Sequence, residues 1–168
     1  MKSSIIPFVL SFFLLLFSCQ GVLDSTSDSK DTIIYSNSFE TEEDLLDWQG
    51  ITAENLRDEA APSAGQKSVY ISGGCIIPHA SITLKSPGVD LPVSIQCFAK
   101  NLDIGGTVEL HVGDKQIIII VEKEYWEMYR SDKTIIWKAN QPLTIHLNCG
   151  GFVPSSMLVD KLQVIGSF

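Results

Sequence analysis

Basic side chains are scarce, with 12 Lys and Arg against 20 Asp and Glu, and nowhere do they cluster. Phosphate backbones and anionic headgroups need a basic stripe or patch, so this balance argues against nucleic acid and against an electrostatic hold on lipid. The three histidines, His79, His111 and His146, lack metal-ligand spacing, and no CxxC or Cys/His pairing marks a zinc site. There is no GxSxG elbow and no glycine-rich phosphate loop. Carboxylates are plentiful, yet Glu40, Glu42, Glu43, Asp44 and Asp47 crowd one turn, and Glu122, Glu124 and Glu127 surround one edge. Glycoside hydrolysis needs two carboxylates facing each other across a cleft, so catalysis is not expected. Long apolar runs are missing too. The longest, Ile5 to Phe17, has 13 residues, short of the roughly 18 to 20 that cross a bilayer.

That run follows Lys2 and ends at Leu16-Phe17-Ser18-Cys19, the order of a secretory signal. The tetrapeptide resembles the bacterial lipobox, in which the cysteine is acylated and becomes the first residue; Phe17 is bulkier than the usual pattern. The resemblance implies a signal peptide over residues 1–18 and a lipid on Cys19. The chain would then be exported and held to a membrane, and Gln20, in place of an aspartate that resembles a retention signal, points to the outer membrane. Residues 19–31, rich in Ser, Asp and Thr, read as a flexible tether. Loss of Lys2 leaves 11 basic against 20 acidic side chains, a formal charge of −9. With Cys19 acylated, Cys75, Cys97 and Cys149 remain, an odd number in an oxidising compartment. Cys97 and Cys149 both lie in apolar phase, where they either pair or simply pack.

Residues 32–168 are one domain's worth of chain. Short runs rich in Val, Ile, Thr and aromatics alternate with Gly, Pro, Asn and Asp, which predicts strands over 32–36, 67–72, 81–85, 93–100, 107–112, 116–123, 126–130, 143–148 and 158–165. Gly113-Asp114 reads as a hairpin turn, and only Thr41 to Asp47 looks helical. Nine strands at this spacing predict an all-β fold of two packed antiparallel sheets, a β-sandwich or jelly roll. Ile117 to Val121 is apolar on both phases, which suggests a central strand or one with a capped outer face; a bare edge is the alternative.

The order of Asn37-Ser38-Phe39-Glu40, Trp48, Gln66-Lys67-Ser68-Val69-Tyr70 and Leu84 to Leu91 resembles the galactose-binding-like jelly rolls of carbohydrate-binding modules. So does the second half, with Phe98-Ala99-Lys100, Trp126-Glu127-Met128-Tyr129 and Val159 to Val164. The resemblance implies a structural calcium ion held by Glu40 and Asp160, completed by backbone carbonyls near Ser38 and Lys67. It also implies a glycan or polysaccharide partner, with Trp48 and Trp126 at positions that mostly belong to the core.

Sugars are held by stacked aromatic rings and planar polar groups, so candidate binding residues must face outward. Gln96 and Phe98 lie opposite in phase to Cys97; Glu109 and His111, and Thr144, His146 and Asn148, lie outward on other strands. If those strands are neighbours, they form one polar patch with an aromatic; otherwise they are a solvated sheet face. Trp137, in a short run with Ile135 and Ile136, is with Tyr125 the preferred stacking platform. A protein partner on the cell surface is the other occupant this sequence leaves open.

Overall fold

The computed structural model describes residues 30–73, 79–150 and 154–168, except the side chain of His79. Residues 1–29, which contain the signal, Cys19 and most of the tether, lie outside the described residues, as does Cys75. Eleven strands are described: β1 (Asp31–Asn37), β2 (Leu56–Arg57), β3 (Ser68–Gly73), β4 (His79–Leu84), β5 (Leu91–Asn101), β6 (Gly106–Val112), β7 (Lys115–Val121), β8 (Glu127–Arg130), β9 (Ile135–Trp137), β10 (Leu143–Asn148) and β11 (Ser155–Ser167). They form two antiparallel sheets. The larger runs β2-β3-β11-β5-β8, with β1 also on β11 and β9 also on β5; the smaller runs β4-β10-β6-β7.

Alternation decides which residues meet between the sheets. Leu91, Val93, Ile95, Cys97 and Ala99 of β5 pack with Val108 and Leu110 of β6 and with Leu143, Ile145 and Leu147 of β10, all fully or almost fully buried. At roughly 2 kcal/mol for each fully buried aliphatic side chain, this layer is the main stabilising term. Cys97 and Cys149 both lie in it as free thiols, and burial pushes each up to about 12. The β6–β7 hairpin turns on Gly113 at φ 57, the positive value a II′ turn requires at its first central residue.

Three local features bear on the site. The segment Thr41 to Asp47 forms only a 3-10 turn at Glu43–Leu45. Asp44, rather than Thr41, closes it, accepting from the backbone N–H groups of Glu40 (2.8 Å) and Thr41 (3.0 Å). β7 is not central: it is the end strand of the smaller sheet, and Ile118 and Ile120 are 47% and 60% exposed on its outer face. Asp160 does not share the inward phase of Leu162 and Val164. The β5–β11 register shifts between Asp160 and Gln163, with Lys161 at φ 48, so β11 changes phase at a bulge. Asp160 is thereby turned to the outside of the sheet, where Ala61 covers it.

Candidate functional site

The outward residues that neighbouring strands would have gathered into one polar patch fall on two faces, because their strands belong to different sheets. Gln96 and Phe98 lie on β5, on the outer surface of the larger sheet. There Gln96 donates to the side chain of Gln163 at 2.8 Å, and half-buried Phe98 sits between Asp160 and Met128. His111 and His146 lie on β6 and β10, on the outer surface of the smaller sheet, across the whole core. Strand alternation identified the outward residues, but strand order separated them.

On the smaller sheet the register assembles a grid. One row runs Thr83, Thr144, His111, Gln116; the next runs Ser81, His146, Glu109, Ile118; a third includes Asn148, Thr107 and Ile120. Residues opposite each other on antiparallel strands share a face, with Cβ atoms about 5 Å apart. The imidazoles of His111 and His146 meet edge to face, centroids 4.9 Å apart at 81°. Thr83 and Thr144 hydroxyls are 3.2 Å apart. Glu109 anchors the centre, accepting from the Thr107 hydroxyl at 2.7 Å and lying 2.8 Å from His111 Nε2. Burial pulls the Glu109 pKa upward, but hydrogen bonds from Thr107, His111 and Asn148 outweigh it and hold the carboxyl below its usual range. A groove of about 320 Å³ opens at the end of this face, lined by Gly105, Gly106, Thr107, Glu109 and Asn148. Thr83, Thr107 and Gln116 were not singled out from sequence, although alternation places each outward; the signal was there, the partner strands were not.

Trp137 does not form a platform with Tyr125. Its ring is 3% exposed and its indole N–H donates to the Gln141 carbonyl at 2.8 Å, so the ring has no free face for a sugar. β9 pairs Trp137 with Leu91, whereas β8 pairs Glu127, two residues beyond Tyr125, with Ala99. Eight residues along β5 separate those positions, roughly 26 Å. Tyr125 is 57% exposed at the other end of the sandwich. Trp48 is buried, tilted against Phe39 and donating to Tyr35 Oη at 3.1 Å; Trp126 is half-buried, with the Lys100 ammonium 5.8 Å from its ring centroid.

Glu40 and Asp160 are brought together from opposite ends of the chain. Glu40 accepts from the N–H groups of Gln66 and Lys67, at 3.0 and 3.3 Å. A Cβ on Gly65, at φ 128, would strike the Glu40 carboxylate, so this approach requires glycine. Asp160 is fully buried. Its Oδ2 accepts from Ala61 N–H at 2.9 Å, while Oδ1 has no partner. Desolvation, with Glu40 adding repulsion, pushes Asp160 up to about 6. An orphaned buried carboxylate oxygen beside a second carboxylate suits a hard cation. Among the described residues no group of three His, Cys, Asp or Glu side chains is spaced to hold a metal, so any remaining ligands would be backbone carbonyls, amide or hydroxyl oxygens, or water.

No protein-family model matches this chain, and no curated protein sequence does. Solved structures share its fold. A family 61 carbohydrate-binding module in complex with β-1,4-galactotriose superposes with a TM-score of 0.51 at 13% identity, covering 76% of this chain and 92% of that one. A family 11 carbohydrate-binding module from Clostridium thermocellum, in complex with a β-1,3-1,4-mixed-linked tetrasaccharide, gives 0.50 at 12% identity over 82% and 96%. The enzymatically active domain of tailspike protein 4 of bacteriophage CBA120 gives 0.55 at 12% identity, over 78% of this chain and 20% of that one. At such identities the likeness establishes the jelly-roll sandwich and no ligand.

Proposed function

We propose that this protein binds glycans without cleaving them, through the outer face of its smaller sheet. The observation that carries the reading is the Thr107–Glu109–His111 network with His146 and Asn148 beside it. Polar side chains held in fixed orientation on an open strand surface, bordered by the apolar Ile118 and Ile120, match the alternating hydroxyl and CH faces of a sugar. The fold shared with modules solved in complex with oligosaccharides supports the same reading. The domain would be exported and lipid-anchored through Cys19, facing glycans from the outer membrane at the end of its tether.

In this reading calcium is structural. Glu40 and Asp160 would hold it, and the ion would supply charge compensation that joins the first and last strands. No ligand-binding step depends on it.

Retardation of the protein in native gels containing β-1,4-galactan, mixed-linked β-glucan, xylan or mannan tests the function, with released reducing ends assayed in parallel. Retardation without release supports it; release of reducing ends contradicts the non-catalytic reading, and no retardation of folded protein contradicts glycan binding. The exposed edge of β7 favours a second reading, in which a protein partner on the cell surface adds a strand there.

A further inference from the structure

We infer that Glu109 makes this face selective for neutral glycans over those carrying uronate or sulfate groups. The inference rests on the proposed binding face and goes further by naming the charge class of its ligand.

Glu109 stands at the centre of the grid, paired across strands with His146 on one side and Ile118 on the other. Its three donors, Thr107, His111 and Asn148, stabilise the ionised form, and His111 adds an electrostatic attraction of its own. His111 turns Nε2 toward the carboxylate, 2.8 Å away, so this nitrogen is occupied within the face. Glu109 retains further lone pairs, and Thr83, Thr144 and Gln116 hold hydroxyl or amide oxygens in the same grid. Those hydroxyl and amide groups both donate and accept, as sugar hydroxyls do; the acceptor-only group on the face is the Glu109 carboxylate, which suits a donating sugar hydroxyl and is mismatched to a carboxylate or sulfate.

Cations border this face, but among the described residues no Lys or Arg forms an ion pair with Glu109: Arg130 and Lys133 line a pocket with Gln116 and Ile118 beyond β7, Arg130 lying 3.4 Å from Asp31. Lys115 is exposed beside Asp114 at 3.9 Å. Lys85, just past β4, lies two rows and two strands from Glu109, roughly 17 Å by strand geometry. That exceeds the screening length of about 8 Å at physiological salt. An anionic sugar over the grid therefore meets a fixed negative charge, in a protein already strongly acidic.

The test compares β-1,4-galactan and mixed-linked β-glucan with their own C6-oxidised forms, which carry carboxylates on the same backbone. The expected result is binding of the oxidised polymer about tenfold weaker than of its neutral parent at low ionic strength. That gap narrows as salt rises, and narrows at low salt in Glu109→Gln. A gap that persists unchanged in Glu109→Gln, whatever its response to salt, or equal binding of both forms, overturns the inference while leaving glycan binding intact. Failure to bind either neutral polymer counts against the function itself and removes the inference with it. Should Glu109→Gln fold poorly, Glu109→Thr, neutral and suited to a strand, takes its place in the same comparison.

Discussion

Glu109 Oε2 and His111 Nε2 lie 2.8 Å apart, two residues along one strand, so a single face of β6 carries both a fixed acceptor and the ring it orients. His146, opposite Glu109 on β10, completes the contact by packing its ring edge to face with His111. Replacing His111 or His146 by Ala should weaken glycan binding about tenfold each, the scale of one lost hydrogen bond to an ionised group. His111→Ala should also lower the melting temperature by a few degrees, because it removes the ring's bond to the Glu109 carboxylate within the folded protein. Binding isotherms and thermal melts of the same preparations check this.

Trp137 behaves differently. Its truncation to Ala opens a cavity in the core and orphans the Gln141 carbonyl, so unfolding free energy should fall by about 3–5 kcal/mol. Tyr125→Ala, at an exposed turn, should stay within about 0.5 kcal/mol of the parent. Urea denaturation separates the two, and any loss of binding in Trp137→Ala should track loss of folded protein.

The contrast between these residues marks what the sequence could convey. Period-two alternation located nearly every strand and correctly turned His111, His146, Gln96 and Phe98 outward, because side-chain phase is a local property. Strand order is not local. Nothing within β5 or β6 says that they belong to different sheets, so whether their outward residues share a patch could not be read from either strand. Trp137 looked exposed because its strand is three residues long, too short for alternation to reveal a phase. Asp160 required the bulge at Lys161, which a single non-glycine residue at positive φ creates without any sequence signature.

Asp160 links metal binding to pH. Its carboxyl is pushed from an ordinary 3.8 up to about 6, so its ionisation opposes folding: stability is fully present below pH 3.8 and is lost as pH rises through about 6. The difference is worth roughly 3 kcal/mol without metal. Calcium takes the ionised form, so its stabilising effect should be larger at pH 7.5 than at pH 5. Thermal melts with calcium or chelator at both values check this, and a melting temperature indifferent to chelator at pH 7.5 contradicts the Glu40–Asp160 site.

The edge of β7 should govern self-association. Ile118 and Ile120 project outward from an end strand with no charge or proline between Gln116 and Val121. Ile120→Lys should lower aggregation on heating while shifting stability by about 0.5 kcal/mol or less, read by light scattering and denaturant titration.

The most direct measurement of the central claim is a residue-resolved NMR titration with β-1,4-galactotriose and, separately, a mixed-linked glucan tetrasaccharide. Binding at the proposed face predicts amide shifts concentrated in Gly106–Val112 and Leu143–Asn148, with β5 and β8 unmoved. Shifts centred instead on Gln96, Phe98 and Met128, or no shifts with either oligosaccharide, would contradict it.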